Sequence, residues 1–234
     1  MRIDKFLSAC GAATRSEAKK LIKSGRITID GVCAKSPDEQ VDEKASAVAL
    51  DGTELVYKKF VYIMLNKPQG YISAVYDKRY PVVTELLDSR YKHFNAAPVG
   101  RLDLDTEGLL ILTNDGQFNH NMTSPNKNIY KRYFARLDKP AEQEDIAEFK
   151  KGMCFKDFTA KPALLEITDN PYEVFIEIAE GKFHQVKRMC ERVGKSVVYL
   201  KRVSIGTLAL DKNLSPGQSR ELTEEELTKL TALL

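Results

Sequence analysis

Four consecutive apolar residues, Leu109 to Leu112, are approached by Gly100-Arg101-Leu102-Asp103-Leu104-Asp105-Thr106-Glu107-Gly108 and stop at Asn114-Asp115-Gly116. An apolar run this short, bounded by turn signals, predicts a buried strand rather than a helix. Asp103 and Asp105 then stand at the mouth of a core strand, on a loop held by rigid scaffold, where reactive groups concentrate. Asp and Thr in such a place also commonly satisfy backbone amides, so the segment alone leaves both roles open.

With 234 residues, 43% hydrophobic and 29% charged, the chain is long enough for one large domain or two smaller ones with a real core. Net charge is only +3, but it is segregated. Residues 1 to 30 carry seven Lys/Arg against three Asp/Glu, and residues 180 to 202 carry seven against two. Local basic segments in a balanced chain point to a polyanion-binding face. Cys10, Cys33, Cys154 and Cys190 are scattered and the three histidines dispersed, so no zinc site is expected and free thiols in a reducing cytoplasm are. Nothing reads as a signal peptide or membrane span, and no long heptad seam appears, so a cytoplasmic monomer is expected.

The first segment reads as a compact module. Ile3, Phe6, Leu7 and Cys10 recur at helical spacing, and Thr14-Arg15-Ser16-Glu17 fits a capping box opening a second helix. In that helix Ala18, Leu21 and Ile22 share one face, while Arg15, Lys19 and Lys23 step along another with no alternating acids. Arg26 to Ile29 alternates as a strand, with hairpin turns at Asp30-Gly31 and, after Val48 to Leu50, at Asp51-Gly52. A boundary follows Lys58-Lys59, giving domains 1–59 and 60–234.

Beyond it, strands and amphipathic helices mix in irregular order, which argues for an α+β fold. A strand is expected from Val61 to Leu65, another over Tyr172 to Ile178, and a helix over Pro140 to Lys150. Lys67 enters a Pro/Gly turn and reads as a surface residue or an RNA contact. Lys131-Arg132-Tyr133 opens a strand that places Tyr133 on the face opposite Arg132. From His184 to Val193, Val186, Met189 and Cys190 form a core face, and His184, Lys187, Arg188 and Glu191 a polar one ended by Gly194. Arginine's planar fork there suits a carboxylate or phosphate.

The first 55 or so residues resemble the S4 RNA-binding domain, in Arg2-x-Asp4-Lys5-Phe6-Leu7, Thr14-Arg15-Ser16-x-Ala18 and Ile22-x-x-Gly25-Arg26-Ile27-x-Ile29-Asp30-Gly31. The whole chain resembles the ribosomal small subunit pseudouridine synthase A family. Gly100-Arg101-Leu102-Asp103 with Thr106, Gly108-Leu109 and Thr113-x-Asp115-Gly116, then Lys131-x-Tyr133, then Glu180-Gly181-x-Phe183-His184-Gln185-Val186-Lys187-Arg188-Met189, carry the likeness. Thr123-Ser124-Pro125 and Lys161-Pro162-Ala163 lean to the small-subunit branch.

That resemblance implies a mostly antiparallel mixed sheet flanked by helices, and isomerisation of a uridine in 16S ribosomal RNA without cofactor or metal. Its implied roles are Asp103 as the attacking carboxylate, Tyr133 against the uracil ring and Arg188 paired with Asp103. Arg101 would fill the gap left by the flipped nucleotide. Arg2, Lys5, Arg15, Lys19, Lys23, Arg26, Lys67, His184 and Lys187 complete the expected RNA contacts, with naked RNA or a small-subunit assembly particle as substrate. Three other readings compete: a relative acting on 23S RNA, a non-catalytic S4-type ribosome-associated factor, and a metal-dependent hydrolase using Asp103-x-Asp105.

Overall fold

A computed structural model describes residues 1–234 and divides them into two compact units. One is Met1–Val61 together with Asp88–Ala96; the other is Tyr62–Leu87 together with Ala97–Leu234.

In the first unit, α1 (Ile3–Ala9) and α2 (Arg15–Lys23) precede four short strands, β1 (Ile27–Ile29), β2 (Val32–Cys33), β3 (Val48–Leu50) and β4 (Thr53–Glu54), ordered β2-β1-β3-β4. The Thr14–Glu17 capping box is formed in both directions, which fixes where α2 begins. Asp30-Gly31 and Asp51-Gly52 all take positive φ, the left-handed pair that a two-residue hairpin turn requires. Ile3, Phe6 and Leu7 of α1 meet Ala18 and Ile22 of α2 over Ile27 and Val48. Asp88–Ala96 adds a 3-10 turn whose start is capped by the Asp88 carboxylate accepting from the Arg90 amide. His93 from this turn lies against Gly11, where an added Cβ would stand 2.5 Å from the ring.

The second unit is a nine-stranded sheet with helices α3 (Gly116–Thr123), α4 (Gln143–Lys151), α5 (Gln185–Arg192) and α6 (Glu224–Thr231). Its long strands are β5 (Tyr62–Lys67), β7 (Glu107–Thr113), β8 (Lys131–Leu137), β11 (Leu164–Ile167), β12 (Glu173–Ile178) and β13 (Val197–Ile205). The strand order is β11-β12-β8-β13-β7-β5-β15, where β15 is Ser219–Glu221; β6 (Ala97–Pro98) pairs with β7 and β14 (Leu208–Ala209) with β13. A separate hairpin joins β9 (Met153–Cys154) to β10 (Thr159–Ala160). The expected helix over Pro140 to Lys150 starts later, because Glu142 and Asp145 form the capping box and Pro140 stays outside it.

Every neighbouring pair is antiparallel except β13 with β7, which run parallel through Lys201↔Glu107 and Arg202↔Gly108. The fold is therefore α+β with a mostly antiparallel mixed sheet. The apolar run Leu109 to Leu112 is fully buried, and Leu109 and Ile111 pack on Phe118, Met122 and Leu230. Gly108 is the tight point of the parallel joint: its φ is +103°, and an added Cβ would lie 2.2 Å from the Arg202 carbonyl oxygen. Gly108→Ala is expected to cost roughly 3 kcal/mol of stability and to lower activity with it, read by thermal melting and by rate.

Candidate active site

The loop Gly100 to Thr106 is fastened from beneath before it presents any side chain. Ser73 Oγ accepts from the Leu102 amide at 3.0 Å and donates to the Leu102 carbonyl at 3.1 Å. Lys67, at the end of β5, is completely buried. Its ammonium donates to the carbonyls of Pro68, Asp103, Leu104 and Thr106 at 2.8–3.4 Å. The expectation that Lys67 contacts RNA is corrected by this placement: β5 is buried on both faces, so a lysine at its end is directed inward, to carbonyls that need a donor. Burial pushes the Lys67 ammonium down to about 8.

Above this support, Asp103 is half-buried and faces α5. Lys187 Nζ stands 3.5 Å from Asp103 Oδ2 and 2.5 Å from Asp105 Oδ1. Burial pushes the Asp105 carboxyl up, but the Lys187 hydrogen bond and charge outweigh it and leave it below the ordinary range. His184 Nε2 is 3.6 Å from Asp103 Oδ1. Its φ of +51° is unusual for a side-chain-bearing residue and turns the chain into α5. The His184 ring stacks on Phe183 at 3.9 Å, and Phe183 is exposed beside the site.

The expected Arg188–Asp103 pair is not formed, and this corrects the implied role. Arg188 binds Asp157 through two hydrogen bonds, at 2.9 and 2.5 Å, and lies over the rings of Phe155 and Phe158 at 4.7 and 4.6 Å. Successive helical residues diverge by about 100°, so Lys187 and Arg188 cannot face one carboxylate together. The turn at His184 gives that position to Lys187. Phe155, Asp157 and Phe158, which engage Arg188, lie around the short β9–β10 hairpin, where no periodicity marks them.

Tyr133 on β8 is nearly buried and lines the same cavity as Asp103, Gly181, Lys182 and His184. Arg101 is exposed at its rim. The cavity thus brings together Arg101, Asp103, Tyr133, His184 and Lys187 from the expected set, and leaves Arg188 and Lys67 outside the direct contact. No group of three or more His, Cys, Asp or Glu side chains is placed to hold a metal ion. No helix is long and apolar enough to cross a membrane.

In the S4-like unit, Lys5, Arg15, Lys19 and Lys23 are exposed. Arg2 pairs with Asp4 and Asp38, and Arg26 makes a two-armed pair with Asp51. These two arginines are therefore already paired with acids of their own unit.

Comparison with known proteins gives the family. The family model for RNA pseudouridylate synthase matches residues 61–192, and the S4 domain model matches residues 1–45. An uncharacterized RNA pseudouridine synthase, YtzG, of Bacillus subtilis (strain 168) is 45% identical over 231 residues, 97% of either chain. The ribosomal small subunit pseudouridine synthase A of Salmonella typhimurium is 41% identical, and that of Escherichia coli (strain K12) 39%, each over 98% of this chain and 100% of the relative. A crystal structure of a pseudouridylate synthase aligns with a TM-score of 0.69 at 36% identity, covering 98% of this chain and 99% of the other. With an S4 domain ahead of a synthase domain and this likeness over nearly its whole length, the chain belongs to the RNA pseudouridine synthase family, in the branch of the ribosomal small subunit pseudouridine synthase A.

Proposed function

We propose that this enzyme converts one uridine of 16S ribosomal RNA to pseudouridine, with Asp103 as the nucleophile. The observation that carries the reading is the meeting of Asp103, Lys187 and Tyr133 in one cavity, on a loop held by a buried ammonium. A carboxylate can add to the sugar carbon while the base departs, and a nearby cation keeps it aimed. Lys187 fills that place rather than Arg188. Tyr133 lies against the uracil ring and is positioned to take the C5 proton after the base has rejoined through carbon. Arg101, at the rim, occupies the gap of the everted nucleotide, since a stacked base hides its glycosidic bond. No redox step or added group is needed, so no cofactor is invoked.

Lys5, Arg15, Lys19 and Lys23 supply phosphate contacts that give affinity without reading sequence. Lys182 and His184 serve the nucleotides next to the target. The small-subunit substrate is supported by the full-length likeness to enzymes of that name, and the enzyme is read as a cytoplasmic monomer acting on RNA or an assembly particle. Mapping pseudouridines in both ribosomal RNAs, from cells with and without the gene, tests this directly. One site lost from 16S RNA is expected. A lost site in 23S RNA would reassign the substrate, and no lost site would leave the non-catalytic reading.

The two neighbouring cations should separate in kinetics. Lys187→Met is expected to lower the single-turnover rate about 100-fold with RNA affinity nearly unchanged. Arg188→Met should cost roughly tenfold or less, because its guanidinium is held by Asp157 and the two phenylalanines, none of which lines the cavity. The reverse order would restore Arg188 as the partner of Asp103.

A further inference from the structure

The inner face of the sheet holds more positive charge than the chemistry at Asp103 uses. Lys131 is two residues before Tyr133 on β8, so strand alternation sends both side chains the same way. Arg202 on β13 is the ladder partner of Tyr133. Lys131 and Arg202 line, with Tyr133 and Asp103, a cavity of about 570 Å³. Arg202 is only 3% exposed; its Nε donates to the Leu109 carbonyl at 2.8 Å, while one terminal nitrogen is buried with no hydrogen-bond partner. Burial, helped by the charge of Arg202, pushes the Lys131 ammonium down to about 8. Glu180 is the acid that acts on Lys131, and its Oε1 already accepts from the Lys161 amide and Gln185 Nε2.

Holding a buried guanidinium beside a half-buried ammonium costs desolvation, and a buried guanidinium nitrogen ordinarily finds a partner within the fold. A ligand that repays the cost must reach the floor beside Tyr133, which suits a flat base better than a backbone phosphate at the rim. We propose that Lys131 and Arg202 bind the uracil carbonyl oxygens and stabilise the detached uracil as an anion. The inference rests on the pseudouridine synthase reading with Asp103 as nucleophile.

The balance of the step shows why cations belong there. As a carboxylate oxygen of Asp103 bonds to C1′, the C1′–N1 bond breaks and its electron pair leaves on N1. The freed ring carries one negative charge, shared onto O2 and O4. Rotation presents C5, whose electrons form the C1′–C5 bond and displace the carboxylate. C5 then loses its proton and N1 gains one, so composition is unchanged. Charge that appears only after bond breaking is what a preorganised cationic floor stabilises most.

The test varies the leaving base. Short RNAs containing the mapped target are made with uridine or with 5-fluorouridine there, whose fluorine makes the base a more stable anion. Disappearance of the starting nucleoside is followed in single turnover for the wild type, Lys131→Met and Lys131→Arg. With uridine, Lys131→Met is expected to be slower by about 100-fold. With 5-fluorouridine its loss should shrink to roughly tenfold or less, with RNA Kd within about twofold. Lys131→Arg, which keeps the charge and guards against a failure of folding in the methionine variant, should recover most of the rate. Equal slowing on both RNAs, or weaker binding at an unchanged rate, overturns the proposal. Asp103→Asn, run beside these on the uridine RNA, separates the two levels. If it stays active, the underlying reading has failed; if it is inactive and the two bases respond alike, only the role of Lys131 and Arg202 falls.

Discussion

Asp103→Asn is expected to abolish pseudouridine formation, slowing single turnover by at least about 10⁴-fold, while RNA affinity changes by no more than about twofold. The amide keeps the size of the carboxylate and its place above Lys67, whose bond is to the Asp103 backbone carbonyl rather than the side chain. What disappears is the ionised oxygen that would attack the sugar and the charge that draws Lys187 Nζ to 3.5 Å. On the proposed reading, binding rests on exposed cations elsewhere, so filter binding and rate should part company. Product at the wild-type rate would remove Asp103 as nucleophile.

The second large effect is expected at Lys67. Lys67→Met takes a donor from four carbonyls, those of Pro68, Asp103, Leu104 and Thr106, of which Asp103 and Leu104 keep the amides of Thr106 and Gly70. Some of these can turn to water, and a buried charge is relieved at the same time. The loss at the Pro68 and Thr106 carbonyls still dominates, because Thr106 is buried. A loss of roughly 3 kcal/mol is expected, a fall in Tm of about 6–12 °C for a domain this size, together with loss of activity as the Asp103 loop relaxes.

The pH dependence of Lys67 has a definite sign. Its folded value of about 8 is below the ordinary 10.5, so between these values the unfolded chain binds the proton more tightly. Its contribution to stability therefore rises from pH 8 to 10.5, yet the neutral amine has fewer donors to share among the carbonyls. Activity should decline above pH 8 while the melting temperature, so far as Lys67 governs it, does not. Parallel decline of both would argue that the loop does not depend on the ammonium.

Much of the fold could be read from residue patterns. Thr14 and Glu17 marked the start of α2, Val174, Ile176 and Ile178 marked the buried face of β12, and Leu109 to Leu112 marked β7. In each case a local signal and its burial agree. Lys67 was opaque because a lysine before Pro-Gln-Gly resembles a surface turn, and nothing local tells that β5 is enclosed on both faces. Lys187 and Arg188 are adjacent and both cationic, so spacing could not assign Asp103 to either; the backbone turn at His184 decides it. Arg202 left a trace in the sequence, since it follows the inward parity of Leu200 on β13, and a charge at an apolar position marks a buried cation. Asp88–Ala96 had no such trace, being a 3-10 turn without repeat.

The single parallel joint has a consequence for when the enzyme becomes competent. Asp103 leads into β7 and Tyr133 lies on β8, and these strands touch only through β13, which lies between them. While the ribosome is still synthesising the chain, the acid and the ring belong to separate antiparallel ribbons with no shared edge. Asp103 and Tyr133 are brought together only after the chain has been made to about residue 205, so on the proposed roles a truncated or emerging polypeptide is expected to perform no isomerisation.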